Sequence, residues 1–281
     1  MFTFINGQIV KEEEATILAT DLSYQFGYGL FETIKCDGGI PLFFEDHYKR
    51  LFKSSKELKM EFPVSEEELR NWVIDLLKAN KLQKARVKLI ISKRLEGKFN
   101  VSIFAAQLET IPESCKLIAK KTIRDLESLS SRHKSTSRLD YHLDYMEAVE
   151  NRFNDALYIN EKNELLECTR SNIFLIMEDR IITPKVESNI LDGVMRNIIL
   201  RIAEKENIVI EEKNVHSLYL NRAKGFFVAN AIIGIMPVSD LRVEDKEYNF
   251  SIHPEVISLK NSLDAEIQEY VRKSALVKAF G

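Results

Sequence analysis

The order in which strand-like and helix-like stretches follow one another constrains this chain more than any single motif. Residues 2–10 read as a hairpin, two short apolar runs around Asn6-Gly7, a pair suited to a two-residue turn. Asp37-Gly38-Gly39 marks a second turn, and residues 46–59 carry apolar positions at helical spacing (Tyr48, Leu51, Phe52, Leu58). Ser65 and Glu68 form a capping box ahead of a stripe of Leu69, Trp72, Val73, Leu76 and Leu77, which predicts a second helix packed on a core. Strands are expected at 86–92 and 101–108, with a charged loop at 93–100.

A polar, proline-containing stretch at 109–114 then separates two strand-like runs, and the domain boundary is expected there, giving domains 1–112 and 113–281. Beyond it come a strand at 115–121, a helix from Leu139 through Leu143, Met146, Val149 and Phe153, and strands at 155–159, 165–167 and 173–177. A helix at 192–206 and strands at 209–211 and 225–228 precede a closing helix over 253–275. No regular βαβ alternation and no phosphate-loop glycine motif occur, which argues against a Rossmann domain. The expectation is an α+β chain with a small N-terminal α/β domain and a larger mixed C-terminal one.

Composition excludes several classes of function. Hydrophobic residues make up 45% and charged residues 30%, enough for a sizeable core, and the net charge of −3 leaves no basic face for nucleic acid or an anionic membrane. The three cysteines, at 36, 115 and 168, are too far apart for metal-ligand spacing and too few for a disulfide framework, as expected in a reducing compartment. Neither a signal-peptide pattern nor an apolar run near the roughly twenty residues of a membrane span is present, so a cytoplasmic protein is expected.

Several polar stretches stand out in order. They are Gln25-Phe26-Gly27-Tyr28-Gly29-Leu30-Phe31-Glu32-Thr33, His47-Tyr48-Lys49-Arg50-Leu51, His133-Lys134-Ser135-Thr136-Ser137-Arg138-Leu139-Asp140 and Leu166-Glu167-Cys168-Thr169-Arg170-Ser171-Asn172. Gly193-Val194-Met195-Arg196 and Asn230-Ala231, ahead of Met236-Pro237-Val238, complete the set. Taken singly, each has an ordinary explanation: a turn, a surface arginine, a solvated helix start, a strand carboxylate facing water. Glu167 is the least comfortable of these, since Leu165, Leu166, Ile173 and Phe174 surround it and a buried carboxylate needs a partner.

As an ordered set they resemble the class IV, fold-type IV pyridoxal-phosphate enzymes, which include branched-chain and D-amino-acid aminotransferases and aminodeoxychorismate lyase. The resemblance implies that fold and pyridoxal 5'-phosphate as cofactor. It implies that Lys134 bonds the cofactor and moves the substrate proton, that Glu167 partners the pyridine nitrogen, and that Arg50 grips the phosphate. A guanidinium suits that grip, staying charged and offering a planar fork of donors. Main-chain N–H groups of Val194 and Met195, at a helix start, add phosphate donors; Leu191 packs on the ring, and Ala231 offers a backbone contact.

Departures from the aminotransferases point toward the lyases. Lys134-Ser135-Thr136-Ser137-Arg138-Leu139-Asp140 is similar to their Lys-x-x-Asn-Arg-Leu-Glu segment, and Leu139 stands where branched-chain enzymes place a tyrosine. Gly-Val-Met-Arg likewise resembles their Gly-Ile-Met-Arg. Tyr28 replaces an aspartate common in the family, and Lys93, Arg94 and Lys98 are the candidates for reading a substrate carboxylate. The implied activity is release of pyruvate from 4-amino-4-deoxychorismate to give 4-aminobenzoate for folate synthesis. A class IV aminotransferase is the alternative, and a non-catalytic cofactor carrier a third reading. The expected partners are a small-molecule amine and a second copy of the chain, paired through Phe26, Tyr28, Phe31, Phe43 and Phe44; no metal, nucleic acid or membrane is expected.

Overall fold

The computed structural model describes residues 1–60, 62–94, 97–123 and 129–280, with the backbone alone at 129–130 and 276–280. The chain divides into two compact units, Met1–Thr110 with His133–Arg138 and Glu266–Gly281, and Ile111–Arg132 with Leu139–Ala265. The first unit thus takes in two segments that lie far beyond a boundary at residue 112. Both units combine helices with a mainly antiparallel sheet, the α+β class expected.

In the first unit, β1 (Phe2–Ile5), β2 (Gln8–Lys11), α1 (Leu22–Phe26), β3 (Gly29–Asp37), β4 (Ile40–Pro41), α2 (Phe44–Glu57), α3 (Glu66–Ala79), β5 (Ala85–Lys93) and β6 (Phe99–Gln107) follow in order. The sheet runs β2-β1-β6-β5-β3-β4. Asn6 and Gly7 both take positive φ, 48° and 93°, which closes the β1–β2 hairpin as the sequence predicts. The capping box also forms, with Glu68 N–H donating to Ser65 Oγ and Ser65 N–H to the Glu68 carboxylate. Leu69, Val73, Leu76 and Leu77 pack with Val87, Leu89 and Ile103 in one core, and Trp72 stacks on Phe4 at its margin.

The second unit contributes β7 (Cys115–Lys121), α4 (Leu129–Arg132), α5 (Leu139–Glu150), β8 (Asp155–Ile159), β9 (Glu164–Cys168), β10 (Asn172–Ile176), β11 (Ile181–Pro184), α6 (Val194–Lys205), β12 (Ile210–Lys213), β13 (Val215–His216), β14 (Gly225–Asn230), β15 (Gly234–Val243), β16 (Lys246–Asn249) and the start of α7 (Pro254–Phe280), whose residues from Glu266 on belong to the first unit. Its sheet runs β12-β11-β10-β14-β15-β7-β8-β9-β13, with β16 on β15. β8, β10 and β14 are buried almost throughout, and the stacked Phe174 and Phe227 rings cross from β10 to β14.

The apolar positions of α5 are exposed, with Leu139, Leu143, Met146 and Val149 all in the open and Ala148 the buried residue. One expectation about buried faces needs correction. Phe43 and Phe44, expected at a subunit surface, are instead buried in the first unit, where Phe43 packs on Tyr270.

Candidate functional site

In the first unit the site begins with the alternation of β3. Leu30, Glu32, Ile34 and Cys36 point to the buried face, and Phe31, Thr33 and Lys35 to the other. A carboxylate in that apolar row requires a cation, and α2 supplies one. Arg50 Nε donates to Glu32 Oε1 at 2.8 Å and its Nη2 to Oε2 at 2.5 Å, a forked pair, while His47 Nδ1 lies 2.7 Å from Oε2. Burial pushes the Glu32 carboxyl up, but the Arg50 charge and the His47 hydrogen bond and charge outweigh it, holding it at about 2. Glu32 and His47 belong to this site and carry no role in the sequence reading. Their signal was the acid in a buried strand row and the His-x-x-Arg spacing that puts both bases on one helix face.

Lys134 sits on the opposite side of β3. Residues 134–136 cover the edge of β3 that β5 does not. Phe31 N–H donates to Lys134 O at 2.9 Å, Leu30 and Ser135 form an antiparallel bridge, and Thr136 N–H donates to Gly29 O at 2.8 Å. The segment alternates as a strand does, with His133 and Ser135 buried and Lys134 half-buried. The Lys134 ammonium stands 4.6 Å from the centre of the Phe31 ring. Lys134 therefore lies five residues ahead of α5, in an extended segment.

The two glycines of the first motif serve this segment. Gly27 ends α1 with φ 65°, and a Cβ at Gly29 would stand 2.8 Å from Thr136 Oγ1 and 3.1 Å from Ile91 O. The close approach that Gly29 permits is to the lysine segment itself. Tyr28, in place of the family's aspartate, donates its hydroxyl to Leu58 O at 2.6 Å and so fastens the loop to the end of α2. Lys93 donates to Lys59 O at 2.9 Å, and Arg94 N–H closes a tight turn on Lys98 O. Residues 95–96 of the expected carboxylate-reading loop lie outside the described residues.

In the second unit Glu167 lies on β9 with 3% of its surface exposed, and the partner that its burial demands is present. Leu191 N–H donates to Oε2 at 3.0 Å, and the Tyr141 hydroxyl lies 3.5 Å from Oε1. Val194 and Met195 open α6, whose N-cap, Gly193, carries no side-chain cap, leaving first-turn N–H groups without an intrahelical acceptor. Asn172 donates to Leu191 O at 2.9 Å, and its Oδ1 fills the space a Cβ on Gly193 would take. Arg196 is fully buried, tying α6 to Pro184 O and the Glu212 carboxylate, so its role in the Gly-Val-Met-Arg motif is to hold the helix. Ala231 follows Asn230, whose Oδ1 accepts from the N–H groups of Ile232 and Ile233 in a tight turn.

The model of the amino-transferase class IV family matches residues 29–241, from β3 to β15. The chain belongs to that family. It is accordingly a pyridoxal-phosphate-dependent enzyme of fold type IV. Among its relatives, the aminodeoxychorismate lyase of Bacillus subtilis is 26% identical, with 87% of each chain covered. The D-alanine aminotransferase of Listeria monocytogenes serotype 1/2a is 24% identical, covering 86% of this chain and 88% of its own. In fold, the chain is similar to the branched-chain aminotransferase of Thermoproteus uzoniensis, with a TM-score of 0.85 at 22% identity, covering 97% of this chain and 94% of that one. The residues present fit the family's cofactor in kind. The units hold a lysine amine, a guanidinium, a buried and hydrogen-bonded carboxylate, and an uncapped helix N-terminus beside a glycine that admits no side chain. No helix among the described residues is long and apolar enough to cross a membrane.

Proposed function

We propose that the enzyme is a 4-amino-4-deoxychorismate lyase, releasing pyruvate and leaving 4-aminobenzoate, the product that feeds folate synthesis. The observation that carries a proton-transfer role is Lys134 itself, its main chain laddered to β3 and its amine over the Phe31 ring. Pyridoxal phosphate, when bound, draws electrons from the carbon that bears the substrate amine. Lys134 is the covalent anchor and then the base that takes the proton from C4. The C3–O bond breaks as that proton leaves, its electron pair goes with the departing enolate, which takes up a proton on carbon to become pyruvate, and the ring is left aromatic. Glu167 holds the pyridine nitrogen in its protonated form. Arg50 and the main chain of Val194 and Met195 hold the phosphate; Leu191 packs against the ring and Ala231 adds a backbone contact.

Residues 93–100 contain a single arginine and no histidine, and Lys93 is engaged by Lys59 O and the Tyr28 ring. That favours elimination over a transamination that must read an α-carboxylate in two successive substrates. Similarity to a D-alanine aminotransferase keeps transamination as the second reading. The enzyme is further proposed to act as a homodimer, supported by exposed apolar side chains on each unit: Ile17, Leu18, Tyr24 and Phe26 on the first, and the α5 stripe on the second.

The test pairs the holoenzyme with aminodeoxychorismate, and separately with leucine or D-alanine plus 2-oxoglutarate. Equal amounts of 4-aminobenzoate and pyruvate from the first mixture, with little glutamate from the others, are expected. Borohydride should fix the cofactor on Lys134. Rapid glutamate formation with no 4-aminobenzoate would replace the lyase by the aminotransferase, and cofactor binding without turnover in any mixture would leave a carrier.

A further inference from the structure

The lysine segment carries one side chain that reaches the helix packed on β3. His133 is buried, its Nδ1 3.0 Å from Ser54 Oγ and its Nε2 3.4 Å from Glu57 Oε2. Both residues are on α2, three residues apart, so one turn of one helix meets the imidazole, Ser54 by a hydrogen bond at Nδ1 and Glu57 by its approach to Nε2. His47, Arg50, Ser54 and Glu57 follow at intervals of three, four and three, the spacing of a single helix face. The face that grips Glu32 through Arg50 and His47 therefore also grips the residue immediately before Lys134.

Other fastenings of the segment differ in kind, among them the main-chain bonds of Lys134 and Thr136 to β3, the Thr136 hydroxyl to Gly27 O, and Arg138 Nη2 to His133 O. A ladder fixes register, but it leaves the twist and tilt of a short edge segment soft; a side chain clamped to a helix removes that freedom. The energy of the clamp is modest, because Ser54 is a neutral partner and Glu57 is half exposed. Its effect is on placement.

We propose that His133 is a positioning residue that sets the stance of the Lys134 amine by tying its segment to the Arg50 face of α2. This rests on the roles of Lys134 and Arg50 given above. With His133 in place, anchor and phosphate grip are referred to one rigid helix; without it, the segment loses that tie to α2.

The test uses reconstituted holoenzyme of the wild type, His133→Ala, His133→Asn, Ser54→Ala and the His133→Ala/Ser54→Ala double variant. Four quantities are read: total bound cofactor, the rate at which borohydride fixes cofactor on Lys134, kcat with KM, and Tm. His133→Ala is expected to keep its cofactor while fixation and kcat fall about 10- to 100-fold, the scale of a misplaced reacting group. His133→Asn, whose amide can still meet Ser54, should recover most of that loss with KM little changed. Ser54→Ala should reproduce part of it and add nothing to His133→Ala, as expected of partners in one contact. Wild-type fixation and kcat in His133→Ala would overturn the proposal. So would a loss that follows Tm and cofactor release in proportion and that asparagine does not recover. A wild-type label on another lysine would instead sink the assignment of Lys134, and this inference with it.

Discussion

Glu32 shows how much a single buried residue can decide. Its carboxyl is held at about 2, against a usual 4.5, because Arg50 and His47 outweigh the cost of burial. For a depressed acid, the stabilisation is complete above the unfolded value and drains away as pH falls through the folded one. Glu32 therefore contributes fully above pH 4.5 and loses its contribution between 4.5 and about 2. Glu32→Gln is expected to lower the unfolding free energy at neutral pH by about 3 kcal/mol and to flatten its pH dependence across that window. Denaturant unfolding at a series of pH values checks both, and an unchanged acid limb would remove Glu32 from the account. At this scale the sequence exposed the groups proposed to do the chemistry, Lys134, Arg50 and Glu167, because each falls in a recognisable string. It concealed the groups around them: Glu32 and His47 beside Arg50, and Asn172 on Leu191 O, act through contacts between elements, which spacing along one element does not display.

Among the elements, α6 depends on a glycine for a steric reason. Gly193 has φ −74°, open to any residue, so the backbone does not demand glycine there. What demands it is Asn172 Oδ1, which occupies the position of a Cβ. Gly193→Ala should then cost about 1–3 kcal/mol through overpacking and weaken cofactor binding, with Asn172→Ser restoring part of both. Thermal unfolding and a cofactor titration of the single and double variants decide it; an alanine without effect would mean the α6 start is more yielding than its contacts imply. Strongly patterned elements, such as α3 with its capping box and the β1–β2 hairpin, were legible because local chemistry specifies them. β15 and β16 went unread: Pro237 and a register shift between Val238 and Asp240 interrupt the alternation that marks a strand.

At the scale of the whole molecule, the exposed stripe on α5 is the clearest departure from what periodicity suggests. Helical spacing of Leu139, Leu143, Met146 and Val149 identifies a face; it does not say whether the face is buried within one chain or between two. Sedimentation at micromolar concentration is expected to give twice the chain mass, and Leu143→Glu with Met146→Glu to shift it toward the single chain. A wild-type monomer would leave the stripe unexplained. The strand-like seating of the lysine segment has a separate consequence for biosynthesis. Leu30 and Ser135, which it bridges, are 105 positions apart. A ribosome that has finished the sheet of the first unit has not yet made the residues that cover the edge of β3. Until they emerge, that edge stands open, the situation in which strands recruit wrong partners. The completed chain closes this gap with the same stretch that carries the amine proposed for catalysis, so a molecule that has misplaced Lys134 has also left an edge for others to find.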